Sequence, residues 1–330
     1  MICFLYILSL FALLGFGYYQ GDSSWWLALI NSFRYWLFAP ALLFWLEIVW
    51  DGFSEGKTWG LSIVTVLWVF LYIWFPFYET PTAAGKQTIK AMTFNILYLN
   101  ENINGIISPI NKAQPDIIAM QEITENQGQA LKQQLSAVYP YTSFRSSKEI
   151  LGVGTFSKFP IESSKQIVSR SGHCQVLKIK AHNRDIFVIN VHTESIEPKD
   201  IFGEEEKILA SYKRREQMLI DILAYLSNNS IPVSDTILLG DFNSTEGNKL
   251  YQIIKKAGFK DSYRAVNPIL FNGFTWPTNM RGVYKKLKTT WPFLRIDYIY
   301  TGNHFTTLNS ETFQAETGSD HRPLVSNLAF

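Results

Sequence analysis

The sequence predicts a layered α/β domain behind an apolar amino-terminal segment, and three observations carry that prediction. Charge is partitioned: only two of the 30 Lys and Arg residues and four of the 28 Asp and Glu residues fall within residues 1–78. From Thr88 onward, β-branched and aromatic runs alternate with stretches of helical period. Five short segments end such runs in a carboxylate, amide or imidazole: Thr93-Phe94-Asn95-Ile96, Met120-Gln121-Glu122, Asn190-Val191-His192, Gly240-Asp241-Phe242-Asn243 and Ser319-Asp320-His321, with Arg295-Ile296-Asp297-Tyr298 just before the last.

Residues 1–78 read as a membrane domain of about three transmembrane helices, residues 79–88 as a linker and residues 89–330 as a catalytic domain. Ile2–Tyr19 and Trp59–Tyr78 are uncharged and close to the ~20 residues that span a bilayer core. Between them, Trp25–Trp50 is apolar enough for a third span, kinked at Pro40, if Arg34 and Glu47 snorkel toward opposite interfaces. Tryptophans 25, 26, 50, 59 and 74 fall near the predicted span ends, as in an interfacial aromatic belt. A cleaved signal peptide is disfavoured for Ile2–Tyr19, which lacks a basic leader and a small-residue cleavage motif. Cys3 lies in a predicted span and Cys174 stands alone in the catalytic domain, which excludes a disulfide within that domain.

The elements of the catalytic domain follow in order. Glu79–Thr88, with Pro81 and Gly85, leaves the membrane, and Thr88–Leu97 is a buried strand that brings Asn95 to its end. Ile103–Lys112 has helical period and Pro115 stops it; Asp116–Gln121 is a second buried strand delivering Glu122. Thr124–Val138 is an amphipathic helix, Arg184–Val191 a strand ending at His192, Tyr212–Leu226 a helix, and Thr236–Leu239 a strand opening onto Asp241. A strand-by-strand delivery of polar residues places the site at one edge of a sheet.

Taken singly, several of these residues have plainer readings. Asn95 at a strand end suits a turn residue bonded to its own backbone. A lone His192 or His321 suits a hydrogen-bonded structural histidine, and Glu122 gains interest only because a carboxylate after so apolar a strand needs a partner. Gly240-Asp241-Phe242-Asn243 is more specific, and Ser319-Asp320-His321-Arg322-Pro323-Leu324 more so. In this order, from about Lys90 to Phe330, the segments resemble the endonuclease/exonuclease/phosphatase (DNase-like) superfamily, which includes pancreatic DNase, inositol polyphosphate 5-phosphatases and bacterial sphingomyelinases.

The resemblance implies a four-layered β-sandwich, two mixed sheets face to face with helices outside. It also implies a Mg²⁺- or Mn²⁺-dependent phosphoric ester hydrolase. Asp241 would orient and deprotonate the attacking water, and Asn243 would hold that water or a phosphoryl oxygen. Glu122, with Asn95 and Asp320, would bind the metal. His321 would be an imidazolium oriented by Asp297, and His192 a second phosphate contact.

For the substrate, the stretch from Arg264 to Arg295 holds six basic residues and no acidic ones, interleaved with aromatics, and lies in sequence between Asp241 and Asp297. It reads either as a solvated basic face or as a loop for a polyanionic or interfacial substrate, contacted by Trp276, Lys285, Lys286, Lys288 and Arg295. Apolar spans ahead of such a domain look like bacterial membrane proteins related to teicoplanin-resistance phosphatases, which act outside the cell on undecaprenyl pyrophosphate-type carriers. The expected activity is hydrolysis of a membrane lipid phosphate or pyrophosphate, with phospholipid or prenyl-phosphate as substrate. The alternatives are a membrane-tethered nuclease acting as a phosphodiesterase on nucleic acid, and a catalytically inactive scaffold. A Lys/Arg count near the spans leans toward a cytoplasmic catalytic domain, but long domains translocate largely regardless of charge, so a multi-pass cell-membrane protein with an extracytoplasmic site is favoured.

Overall fold

The structure is a computed structural model that describes residues 2–38, 81, 85–147, 150–169, 172–196, 204–267, 272–278, 291–314 and 316–330. From Thr88 the chain forms β1 (Thr88–Asn95), β2 (Ile117–Ile123), β3 (Tyr141–Ser147), β4 (Ile150–Ser157), β5 (Ile161–Ser169), β6 (Gly172–Ala181) and β7 (Arg184–Thr193). These are followed by β8 (Thr236–Asp241), β9 (Lys260–Asp261), β10 (Asp297–Thr301), β11 (Thr306–Thr312) and β12 (Leu324–Ala329). The helices are α1 (Ile2–Gln20), α2 (Trp25–Phe33), α3 (Ile103–Ala113), α4 (Glu125–Leu135), α5 (Glu205–Asn228), α6 (Lys249–Lys256) and α7 (Ser262–Val266).

Two six-stranded sheets result, ordered β11-β12-β1-β2-β4-β3 and β5-β6-β7-β8-β10-β9. Each is antiparallel except for one central parallel pair, β1 with β2 and β7 with β8. Parallel neighbours need a crossover, supplied by α3 in the first sheet and by α5 in the second. Both parallel pairs therefore send their carboxyl ends to the same edge of the sandwich, where Asn95, Glu122, His192 and Asp241 stand.

Period-two alternation builds the layers. Ile89 and Ala91 of β1, Ile117 and Ala119 of β2, Val188 of β7, Ile237 and Leu239 of β8 and Ile299 of β10 share one buried cluster between the sheets. Met92, Phe94, Ile118 and Met120 point the other way, onto Ile106 and Ile110 of α3 and Leu131 of α4. On the far side Ile189, Val191, Leu238 and Tyr298 pack on Met218, Leu219 and Ile222 of α5 and Leu250 and Ile254 of α6. Helices, sheet, sheet, helices is the four-layered arrangement expected of the sequence. α4 starts at a capping box in which Thr124 Oγ1 accepts from Gln127 N and the Gln127 side chain accepts from Thr124 N.

Between the sheets the packing turns polar as it nears the site edge. Gln121 Nε2 donates to Asn190 Oδ1 at 2.7 Å, Thr93 Oγ1 donates to Gln121 Oε1 at 3.3 Å, and Asn190 Nδ2 donates to the Met120 and Gly154 carbonyls. This satisfied network bridges the two sheets directly behind the site and fixes their spacing there.

The amino-terminal segment differs from expectation. Among the described residues no helix is long and apolar enough to cross a membrane. The predicted span Trp25–Trp50 begins as α2, which ends at Phe33 and is followed by a 3₁₀ turn at Trp36–Phe38. Its remainder and the predicted span Trp59–Tyr78 lie outside the described residues. Arg34 does not snorkel: its Nη2 donates to the Glu246 carbonyl at 2.9 Å. Asp22 is buried and accepts from Lys249 N at 2.9 Å, capping the amino end of α6 from outside, where the helix dipole favours a carboxylate. Ala28 of α2 is buried against Ile208 and Tyr212 of α5. Asp22 and Arg34, the charged residues of this segment that are described, are thus spent on docking it to the sandwich.

Candidate active site

Strand register assembles the site. His192 on β7 pairs with Asp241 on β8, and Asp241 pairs with Asp297 on β10, so three functional side chains stand in one row across three adjacent strands. In the other sheet Asn95 pairs with Gln121, one residue before Glu122. The β2 register shifts between Gln121 and Ile123, and Glu122 has φ +57. Ile118, Met120 and Ile123 all pack on the helix side, so regular alternation would send residue 122 there too; the bulge absorbs it and turns the carboxylate to the site. Gly240 has φ +148, and a Cβ there would lie 1.9 Å from the Val191 carbonyl oxygen, so only glycine lets β8 run this close to β7 ahead of Asp241.

Asn95 links the sheets. Its Nδ2 donates to Glu122 Oε1 and to Asp241 Oδ2, both at 3.0 Å, while its Oδ1 accepts from Leu97 N at 3.1 Å. Because a backbone N–H faces Oδ1, the amide orientation is determined. The expected metal ligand is therefore a donor spacing two carboxylates, and its oxygen is turned away to the Leu97 backbone. Asp241 Oδ1 accepts from Asn243 N at 2.9 Å, so both of its oxygens are held.

His321 Nδ1 lies 2.9 Å from Asp297 Oδ2, and its Nε2 lies 3.7 Å from Asp241 Oδ2. Ser319 places the histidine, since its Oγ donates to the Asn95 carbonyl at 2.7 Å and accepts from His321 N at 3.0 Å. Burial opposes charge on the ring, but Asp297 and Asp241 overturn that and raise His321 well above an ordinary histidine. Asp241 is raised above an ordinary aspartate, first by burial and then by the Asp297 charge, against the pull of His321 and His192. An imidazolium beside a carboxylate of raised basicity is an acid–base pair set for work near neutral pH.

His192 Nε2 stands 3.7 Å from Glu122 Oε1 and 3.9 Å from Asp241 Oδ2, too far for hydrogen bonds, and is buried with no partner; Asp297 Oδ1 is in the same condition. Asp320 carries a carboxyl raised by burial and by Glu122, and its Oδ2 accepts from Trp276 Nε1 at 3.1 Å. Four carboxylates, Glu122, Asp241, Asp297 and Asp320, thus converge with one strongly basic histidine. That excess of negative oxygen fits a hard divalent cation. Asp241, Asp297 and His321 can each offer one ligand atom within 4.8 Å of one another, though the Nδ1 of His321 is already engaged by Asp297.

The structure brings together Asn95, Glu122, His192, Asp241, Asn243, Asp297, Asp320 and His321. Asn243 is held differently than expected: its Nδ2 donates to the Thr193 carbonyl at 3.0 Å, and its own carbonyl accepts from Arg215 Nη1. Arg295 is not a substrate contact. It is buried, with Nε 2.8 Å from Glu246 Oε1 and Nη1 3.1 Å from Asp261 Oδ1, and Arg264 closes the cluster on Glu246. Lys285, Lys286 and Lys288 lie outside the described residues. Trp276 sits at the site, but its indole N–H is committed to Asp320. Sequence reasoning missed Arg215, a buried residue in the run Lys213-Arg214-Arg215 that reads as a solvated helix face; its Nε also donates to the Glu194 carbonyl at 2.6 Å.

Comparison with known proteins bears on the family and the fold. The Endonuclease/Exonuclease/phosphatase family matches residues 92–321. A curated relative, "Phospholipase C" of Staphylococcus aureus, is 28% identical over 165 residues, which cover 46% of this chain and 46% of the relative, so the chain spans about half the length of the curated relatives it matches. Among solved structures, truncated TDP2 of Caenorhabditis elegans aligns with TM-score 0.54 at 15% identity, covering 74% of this chain and 98% of that one. D. rerio TDP2, complexed with single strand DNA product, aligns with TM-score 0.55 at 15% identity over 73% and 99%. An endonuclease/exonuclease/phosphatase family protein from Bacteroides thetaiotaomicron gives 0.54 at 18% identity over 74% and 98%. At these identities the structural likeness is one of fold.

Proposed function

The chain belongs to the Endonuclease/Exonuclease/phosphatase family, and from that premise we propose that it is a divalent-metal-dependent phosphoric ester hydrolase acting on the phosphate or pyrophosphate of a membrane lipid. The observation that carries this reading is the row His192–Asp241–Asp297 across three strands, completed by His321 at 2.9 Å from Asp297 and by Glu122 across the sandwich. Glu122 and Asp320 would hold Mg²⁺ or Mn²⁺, the harder carboxylate oxygens suiting either ion. When bound, that ion supplies Lewis-acid neutralisation of phosphoryl charge.

The chain's own groups do the rest. Asp241, fixed through Asn95 Nδ2 and Asn243 N, accepts the proton of the attacking water at an oxygen made basic by burial. His321, charged and oriented by Asp297, offers Nε2–H to the pentacoordinate phosphorus oxygens. His192 Nε2, buried without a partner, takes a second phosphoryl oxygen. The network of Gln121, Asn190 and Thr93 keeps the two sheets, and hence Glu122 and Asp241, at fixed separation.

The lipid substrate is supported by the apolar amino-terminal segment docked beside the site and by the phospholipase C name of the Staphylococcus relative. Association of this apolar segment with a membrane, with the site on the extracytoplasmic side, belongs to the same proposal. It is tested with full-length protein in detergent, Mg²⁺ and three substrates: a prenyl pyrophosphate, a sphingomyelin-like phosphodiester and plasmid DNA. Hydrolysis of a lipid substrate, abolished by excess chelator, is expected. Efficient cleavage of DNA with neither lipid touched would replace this reading by that of a tethered nuclease.

A further inference from the structure

The amino-terminal segment reaches the site by two chains of contacts. In the first, Trp36 Nε1 donates to the Phe293 carbonyl at 2.8 Å. Phe293 N and Leu294 N donate to the Trp276 carbonyl at 3.0 and 2.9 Å, and Trp276 Nε1 donates to Asp320 Oδ2 at 3.1 Å. The rings follow the same path: Trp36 stacks on Phe274 with centroids 5.6 Å apart and meets Phe293 edge-on at 6.5 Å, while Phe293 meets Trp276 at 6.3 Å. In the second chain, Ser32 Oγ lies 2.6 Å from Tyr212 Oη, the Arg215 guanidinium stacks on the Tyr212 ring at 4.6 Å, and Arg215 holds the carbonyl of Asn243, whose N–H holds Asp241.

The docking is built rather than incidental contact. Gly247 lies so close to α2 that a Cβ there would fall 1.8 Å from the Asn31 carbonyl oxygen. Asn248 is buried between α2 and the sandwich, its Nδ2 donating to the Ala28 carbonyl at 3.1 Å and its Oδ1 accepting from Ser32 Oγ at 3.0 Å. A free-standing catalytic domain would leave Asn248, Glu246 and Tyr212 without these partners.

We propose that the docked amino-terminal segment is a working part of the catalytic unit, with Trp36 a positioning residue that sets Asp320, through Trp276, for the metal. This rests on the metal-dependent reading above. The physical reason is that the loop carrying Trp276 is tied on the Asp320 side, Thr278 N donating to the Asp320 carbonyl and Arg322 N to the Thr275 carbonyl, both at 2.8 Å, while Phe274 and Phe293 flank it toward the amino-terminal segment and need support there. Trp36 supplies that support by one hydrogen bond and two ring contacts.

The test uses full-length protein in detergent and reads Mn²⁺ binding by electron paramagnetic resonance, alongside hydrolysis as a function of Mn²⁺. Trp36→Ala is expected to raise the Mn²⁺ concentration for half-saturation about tenfold, the low end of what loss of a supporting partner costs a metal site. Turnover should recover at saturating Mn²⁺, which a merely unfolded variant would not do. Trp36→Phe, which keeps the ring and loses the N–H, should fall between parent and Trp36→Ala, and it decides the matter if the alanine variant does not fold. If the parent binds Mn²⁺ and turns over, and Trp36→Phe and any folded Trp36→Ala match it in both readouts, the coupling is wrong. A parent that neither binds Mn²⁺ nor hydrolyses phosphate esters would instead overturn the functional reading beneath it.

Discussion

Two clusters of buried charge lie on either side of Ile296, and they are built to opposite rules. Glu246, Asp261, Arg264 and Arg295 form one, with two carboxylates against two guanidiniums and close contacts throughout, among them Arg295 to Glu246 at 2.7 Å and Arg264 to Glu246 at 2.6 Å. The site forms the other, with Glu122, Asp241, Asp297 and Asp320 set against a single strongly basic histidine, and with His192 Nε2 and Asp297 Oδ1 left without partners. Burial alone would raise the Glu246 carboxyl, yet Arg295 and Arg264 bring it down to about 2; in the site, burial and a neighbouring carboxylate raise Asp241 instead. Charge balance and satisfied hydrogen bonds mark the scaffold. Imbalance and orphaned atoms mark the place where a ligand is to complete the set.

The largest expected effect breaks the balanced cluster. Arg295→Met leaves Asp261 and Glu246 buried with too little compensation and should cost about 3–5 kcal/mol of stability, as removal of one partner from a buried pair does. Denaturant unfolding checks it, and an unchanged midpoint would restore the substrate role that sequence reasoning gave Arg295.

Next come the site's own residues. Asp241→Asn and His321→Ala should each lower turnover by two or more orders of magnitude, roughly 2.7 kcal/mol of transition-state stabilisation. Asp241→Asn should leave the apo protein as stable as the parent or more so, because it removes a charge from an overcrowded carboxylate site. A fall in turnover matched by a fall in stability would blur the contrast between the clusters. A smaller loss is expected from Glu122→Gln, whose amide oxygen can still accept from Tyr98 N but which removes a charged ligand and the acceptor that faces Asn95 Nδ2. Titration of activity with Mg²⁺ should show a higher half-saturating concentration, with turnover recovering in excess metal.

Much of this was legible in the sequence, and the reason is geometric. Asn95, Glu122, His192 and Asp241 stand at or beside the ends of strands written as apolar runs, so the run that identifies each strand also identifies what it delivers, and Asp297 opens another such strand. Asp320 and His321 were legible because their motif is dense. Arg295 misled because a basic residue beside aromatics looks solvent-facing, and its partners Glu246 and Asp261 lie 49 and 34 residues away. Asn95 was placed correctly and its role misread, since only the Leu97 N–H shows which way the amide turns. Arg34 was read as an interface residue and Asp22 drew no reading; their partners, Glu246 and Lys249, are more than 200 positions distant and leave no local trace. The strands β3 to β6, paired only with one another and with β2 and β7, carry no functional residue to announce them.

The smallest effect separates the clusters by pH. Glu246 is depressed from 4.5 to about 2, so its contribution to stability is complete above its unfolded value and is lost as pH falls from about 4.5 toward 2. His321 is raised well above 6.5, so the stability it contributes is complete below that value and is lost as pH rises through its folded value. Each group exchanges at most one proton with the unfolded state, which limits either slope to about 1.4 kcal/mol per pH unit. Denaturant midpoints measured across pH should therefore soften at both ends, the acid loss shrinking in a Glu246→Gln variant and the alkaline loss in His321→Ala. Activity should follow the site alone, falling on the alkaline side as His321 loses its proton and on the acid side as Asp241 gains one. An alkaline stability loss that persisted undiminished in His321→Ala would mean that the Asp297–His321 pair is not the group titrating there.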